Sequence, residues 1–158
     1  MRKIRILLAD DHRRLLELVQ GLLEPTFDVV RCVEDGESLV EAAGKLQPDV
    51  IVTDISMPKL NGIEAAGRLR ESGSSSKIVF LTVHADSDFV QAAFKTGALA
   101  YVSKHRINTD LVVAIGEAVA ERMFVSPLRL AARTERLVGE VWFYDICGTQ
   151  AMGNSTLI

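Results

Sequence analysis

Five short apolar runs, at residues 4–9, 27–33, 50–53, 78–82 and 99–102, alternate with stretches in which apolar side chains recur at helical spacing. Runs that are apolar at nearly every position suit strands covered on both faces, which is the situation in a parallel sheet. Between the first two runs, Leu15, Leu16, Leu18, Val19, Leu22 and Leu23 make a helical stripe, and Pro25 stands just past its end. Leu39, Val40, Ala43 and Leu46 make a second stripe, closed by Pro48. A third runs over 63–69 into the Ser-Gly stretch at 72–76. Phe89, Val90, Ala93 and Phe94 make a fourth, with Gly97 placed for a left-handed cap. A fifth carries Leu111, Val112, Ile115, Ala118 and Val119, with Thr109 or Asp110 as its cap. Strand and helix thus alternate five times, which predicts an α/β, doubly wound (βα)5 domain over residues 1–122.

Beyond residue 122 the regularity fades. Residues 126–138 read as a helix of modest amphipathicity, 141–146 as helix or strand, and 148–158 as a frayed terminus. The expectation is a helical or irregular extension over 123–158, too short for a second full domain. Its apolar residues Leu128, Leu130, Leu137, Val138, Val141, Trp142 and Phe143 need burial, and association of two copies is one way to supply it.

The 158 residues carry a formal charge of −3, which is not the basic footprint of a nucleic-acid binder. Cys32 and Cys147 lack metal-ligand spacing, and neither a signal peptide nor a membrane-spanning run is legible. A cytoplasmic protein is expected.

Chemistry is expected beyond the carboxyl ends of the strands, where parallel sheets of this class bind ligands. The first run ends in Asp10-Asp11, the third in Asp54, the fourth in Thr82, and Lys104 follows the fifth. Carboxylates gathered on one rim repel, and a hard divalent cation such as Mg²⁺ is the usual remedy. A carboxylate beside such a cation is placed to attack phosphorus, with a lysine ammonium and a hydroxyl to meet the phosphoryl oxygens. Each residue also has a plainer reading. Asp10 and Asp11 suit a helix start, Asp54 a turn, Lys104 a solvated surface, Thr82 a strand end and Tyr101 the core. His12, His84 and His105 have no metal-ligand spacing and read as rim or surface residues.

These residues stand in four ordered segments: Asp10-Asp11 after LLA, then VIVTDISMPKLNGIEAAGRLR, IVFLTVH and KTGALAYVSK. Together they resemble the receiver domains of two-component response regulators over residues 3 to 122. The resemblance implies a flavodoxin-like parallel sheet of order 2-1-3-4-5. It implies that Asp54 accepts a phosphoryl group from the phosphohistidine of a sensor histidine kinase. Asp11, Asp54 and the backbone carbonyl of Ser56 would bind Mg²⁺, with Asp10 acting through a metal water. Lys104 would contact the acyl phosphate, and Thr82 with Tyr101 would form the switch pair, the hydroxyl moving to the phosphoryl group and the ring turning inward.

Two features depart from that pattern. The family often has proline after the lysine, in a cis bond, where this chain has His105, for which a cis bond costs about 2.5–4 kcal/mol. The segment 101–127, ending in RMFVSP, resembles the subfamily joined to a helix-turn-helix module, yet no second helix with a basic recognition face follows. Three functions therefore stand side by side: a receiver acting through protein contacts, a truncated DNA-binding transcription regulator, and an aspartate-nucleophile phosphatase. The phosphatase class places its acids at alternate positions, whereas Asp10 and Asp11 are adjacent.

Overall fold

The computed structural model describes residues 2–127. Six strands, β1 (Arg5–Ala9), β2 (Asp28–Val33), β3 (Val50–Thr53), β4 (Lys77–Thr82), β5 (Ala100–Ser103) and β6 (Phe124–Val125), form one parallel sheet of order β2-β1-β3-β4-β5-β6. The helices α1 (Arg13–Leu23), α2 (Gly36–Leu46), α3 (Gly62–Glu71), α4 (Ser87–Lys95) and α5 (Ile107–Val119) connect them. The five-fold alternation and the flavodoxin-like order of the first five strands are as expected. The sixth strand is an addition: Ala100 pairs with Phe124 and Tyr101 with Val125, so the sheet continues past residue 122.

Alternation along each strand divides the core in two. In β1, Ile6 and Leu8 face α1 and α5, whereas Leu7 and Ala9 face α2, α3 and α4. Four consecutive residues of β3, Val50 to Thr53, are buried for this reason, since both faces are covered. Each large side chain buried in this way contributes roughly 1.5–3 kcal/mol against exposure. Leu16, Val19 and Leu23 are the buried stripe of α1.

Helix starts fix the loops that matter. Asn61 Oδ1 accepts from Glu64 N at 2.8 Å and Glu64 Oε1 accepts from Asn61 N at 3.1 Å, a capping box at the head of α3. Asp35 caps α2 by accepting from Ser38 N at 2.7 Å. Gly97 has φ +92°, the left-handed cap expected after α4.

The expected cap of α5 is corrected. Neither Thr109 nor Asp110 is the N-cap, because a 3₁₀ turn, Lys104–Arg106, leads directly into a helix that starts at Ile107. Asp110 lies in the first turn, buried, where its Oδ2 accepts from Ser126 Oγ at 2.6 Å and from Arg106 Nε at 2.7 Å. Ser126 and Pro127 are not helical, so no helix starts at 126, and Ser126 is buried with its N–H bonded to Tyr101 O. The rest of the expected helix, the segment 141–146, the frayed terminus, Cys147 and the apolar tail positions lie outside the described residues. Among the described residues no helix is long and apolar enough to cross a membrane.

Candidate functional site

The site lies at the carboxyl ends of β1 and β3, the neighbouring strands from which the chain winds in opposite directions. Asp10 follows β1 and is held by its own N–H to Val33 O and by Oδ1, which accepts from His12 N at 2.8 Å. Neither acid of the pair caps α1, whose N-cap is His12 with no side-chain bond. Asp54 follows β3. Its N–H donates to Ala9 O at 2.9 Å and its Oδ1 accepts from Ile55 N at 2.6 Å, so both backbone and carboxylate are oriented. Gly62 completes the turn: a Cβ there would meet Asp54 O at 1.9 Å, a contact no side chain can make without moving the backbone of the acid.

Lys104 reaches back from the end of β5. Its Nζ stands 2.8 Å from Asp54 Oδ2 and 2.7 Å from Asp10 Oδ2 in a pocket where all three side chains are largely buried. Burial disfavours the ammonium, but the hydrogen bonds and charges of the two carboxylates prevail and hold Lys104 above its ordinary lysine value. The peptide after it is trans, as are all those of the described residues, and Ser103 Oγ accepts from His105 N to shape the turn. His105 therefore replaces the family's usual proline without displacing the lysine from the acids.

Asp11 completes the cluster at the surface. One ligating atom each from Asp10, Asp11, His12 and Asp54 lies within 4.8 Å of the others. Three carboxylates against one ammonium leave a surplus of two negative charges. Asp10 Oδ2 is buried, and its close partner is Lys104 Nζ at 2.7 Å, an ammonium that it shares with Asp54. One ammonium between two buried carboxylates leaves negative charge uncompensated, and buried uncompensated charge is costly. A divalent cation with oxygen preference fits this donor set.

Thr82 and Tyr101 meet at one residue. Thr82 Oγ1 accepts from His84 N at 3.2 Å, and Tyr101 Oη donates to His84 O at 2.9 Å. Tyr101 is fully buried, its ring tilted against Phe80, and burial, then the charges of Asp86 and Asp54, push its phenol well above the usual value. Ser56 is exposed, and its Oγ pairs with His84 Nε2 at 2.7 Å while the imidazole stacks on Phe89. Two histidines thus do more than their sequence spacing indicates. His84 ties the β4–α4 loop to the β3–α3 loop, and His12 Nδ1 stands 3.2 Å from both Asp10 Oδ1 and Asp11 Oδ1. The only hint in the sequence is the adjacency of His12 to the acid pair.

The doubly wound sheet and the acidic pocket bridged by Lys104 place this chain among α/β proteins that bind ligands beyond the carboxyl ends of their strands. The response regulator receiver domain family matches residues 6–116, and this chain belongs to that family. It is 38% identical over 143 residues to the transcriptional regulatory protein DegU of Brevibacillus brevis, covering 87% of this chain and 61% of the relative. It is also 38% identical to the nitrate/nitrite response regulator protein NarL of Escherichia coli, over 77% of this chain and 57% of that protein. The chain spans about three fifths of the length of these curated relatives. Among solved structures, a LuxR-family two-component response regulator from Aurantimonas superposes with a TM-score of 0.75 at 34% identity, over 79% of this chain and 91% of that one. The signal receiver domain of the putative response regulator NarL from Mycobacterium tuberculosis superposes with a TM-score of 0.74 at 26% identity, over 77% of this chain and all of that one.

Proposed function

We propose that Asp54 is the phosphoacceptor of a cation-dependent switch, fed by a sensor histidine kinase and read out through protein contacts. The observation that carries this is the bridge from Lys104 to Asp54 and Asp10 within the acid cluster. The Asp54 carboxylate is held on both oxygens, by Ile55 N and by Lys104 Nζ, so its orientation is set before a donor arrives.

Asp11, Asp54 and the Ser56 carbonyl would hold Mg²⁺, with Asp10 acting through a water. When bound, the cation neutralises charge on the phosphoryl oxygens. The Asp54 oxygen forms a bond to phosphorus as the donor's phosphorus–nitrogen bond breaks. Lys104 follows the negative charge from the carboxylate to the phosphoryl oxygens, a short movement for a flexible ammonium. Thr82 Oγ1 accepts a hydrogen bond from His84 N, which leaves its own proton free to donate to a phosphoryl oxygen. Because Tyr101 is bonded to the same residue, a shift of Thr82 is transmitted to the surface of β5 and α4 through His84. The added charge of about −1.5 to −2 supplies the driving force.

The relatives named above are a transcriptional regulatory protein and a response regulator, which favours a role in gene control. All five described helices pack one face on the sheet, and the chain's formal charge of −3 gives no basic footprint. DNA contact by this chain is not expected, and a downstream protein is the expected reader.

Incubation with acetyl phosphate and Mg²⁺, followed by intact mass measurement, tests the assignment. A gain of about 80 Da that is lost in Asp54→Ala and on adding EDTA is expected. A gain that survives Asp54→Ala would move the chemistry to another group.

A further inference from the structure

The cation pocket has one donor that an oxygen-only site lacks. His12 Nδ1 is 3.2 Å from Asp10 Oδ1 and 3.2 Å from Asp11 Oδ1, and with Asp54 it completes a four-residue set whose ligating atoms lie within 4.8 Å of one another. The imidazole is tied down by no other side-chain hydrogen bond. It sits at the open mouth, 72% exposed, so its ring turns without disturbing the core. Its backbone is fixed, because His12 N donates to Asp10 Oδ1 and His12 O accepts from Leu16 N in the first turn of α1. The nitrogen is thereby kept beside the carboxylates by the same turn that places Asp10.

Ligand type decides which divalent ion such a set prefers. Carboxylates and waters suit Mg²⁺ and Mn²⁺, whereas a neutral imidazole beside carboxylates suits Co²⁺, Ni²⁺ and Zn²⁺, which bind nitrogen strongly. Buried Asp10 Oδ2, which shares the single Lys104 ammonium with Asp54, adds a carboxylate oxygen whose charge a divalent cation would compensate. We propose that His12 makes the acidic pocket a mixed nitrogen–oxygen site that binds late first-row divalent ions by way of His12 Nδ1, in competition with the Mg²⁺ on which phosphorylation depends. This rests on the reading of the pocket as a cation site.

Calorimetric titration of the full 158-residue chain with Ni²⁺ and, separately, with Mg²⁺ tests this, comparing the native protein with His12→Ala. His12 makes no side-chain cap bond, so the variant is expected to fold, and circular dichroism checks that it does. Loss of the nitrogen should weaken Ni²⁺ binding by about tenfold or more and leave Mg²⁺ binding within about twofold. Zn²⁺ should also shift the ring resonances of His12 in the native protein. Equal Ni²⁺ affinity in both proteins, with Mg²⁺ binding intact, would overturn the role of His12 alone. Absence of Mg²⁺ binding in both would instead overturn the cation site itself, and this proposal with it.

Discussion

Lys104 is the residue on which the pocket balances. Without it, Asp10 and Asp54 would face one another as buried carboxylates with no cation between them. Lys104→Met should therefore have two opposite effects. The phosphorylation rate falls by about 10²- to 10³-fold, as when one preorganised donor to a developing charge is lost. Divalent cation affinity rises, because the competing ammonium is gone. Time courses with acetyl phosphate and calorimetry with Mg²⁺ read the two effects separately, and an unchanged rate would remove Lys104 from the chemistry. Its raised pKa places the charge out of reach of ordinary titration. The ion pair is fully formed below the usual lysine value and is lost only as pH rises through the still higher folded value. No loss of rate from Lys104 is expected across neutral pH.

Asp10, Asp11, Asp54 and Lys104 are legible in the sequence because each follows a short apolar run that, alternating with helical stripes, reads as a buried strand, and strand ends share a rim. His84 was not legible in this way. Its importance comes from a loop-to-loop bond with Ser56, 28 positions earlier, and from its backbone, which serves Thr82 and Tyr101 whatever its side chain is. Tertiary contacts of this kind leave no periodicity in the sequence.

At the scale of elements, the β5–α5 junction departs most from expectation. Asp110 looked like a cap, since an acid at a helix start ordinarily bonds the first free N–H groups. Here the 3₁₀ turn occupies that place, and the carboxylate turns to Arg106 and Ser126 instead. Ser126 Oγ in turn accepts from Ser103 N, so one buried acid joins the turn after Lys104 to the end of β6. Strand β6 is not legible for a related reason: two residues carry no alternation, and Phe124 and Val125 are recognisable as a strand only by their pairing with β5.

Burial by itself would raise the Asp110 carboxyl, yet the bonds from Arg106, Ser126 and Thr109 outweigh it and hold it below the usual carboxylate range. A depressed value contributes stability that is present above the unfolded pKa and is lost as pH falls through the folded one. Asp110→Asn should therefore cost about 1–2 kcal/mol at neutral pH. The gap to the native protein should close on acidification below the ordinary carboxylate range. Denaturant titrations at neutral and acidic pH measure this, and a gap independent of pH would mean that packing, not charge, is what the acid supplies.

Across the molecule, the two hydrophobic clusters do different work. The one beneath α1 and α5 holds strand residues Ile6, Leu8, Val50, Val52, Val79 and Leu81 in an apolar layer. The other, beneath α2, α3 and α4, contains Tyr101 and Phe80, so the aromatic residue tied to His84 is part of the packing under α4. A charge added at Asp54 would thus act beside a face whose core includes the Tyr101 phenol, while the opposite face buries its polar pair, Asp110 and Ser126, at the α5 edge. Packed cores convert small displacements into discrete shifts.

All of this depends on Asp54 carrying the phosphoryl group. Borohydride treatment after phosphorylation converts an aspartyl phosphate to homoserine and leaves free carboxylates untouched. Peptide mapping of the treated protein should find homoserine at position 54 alone, and only when Mg²⁺ was present during phosphorylation. Homoserine at Asp10 or Asp11, or none at any position despite phosphate incorporation, would contradict the assignment.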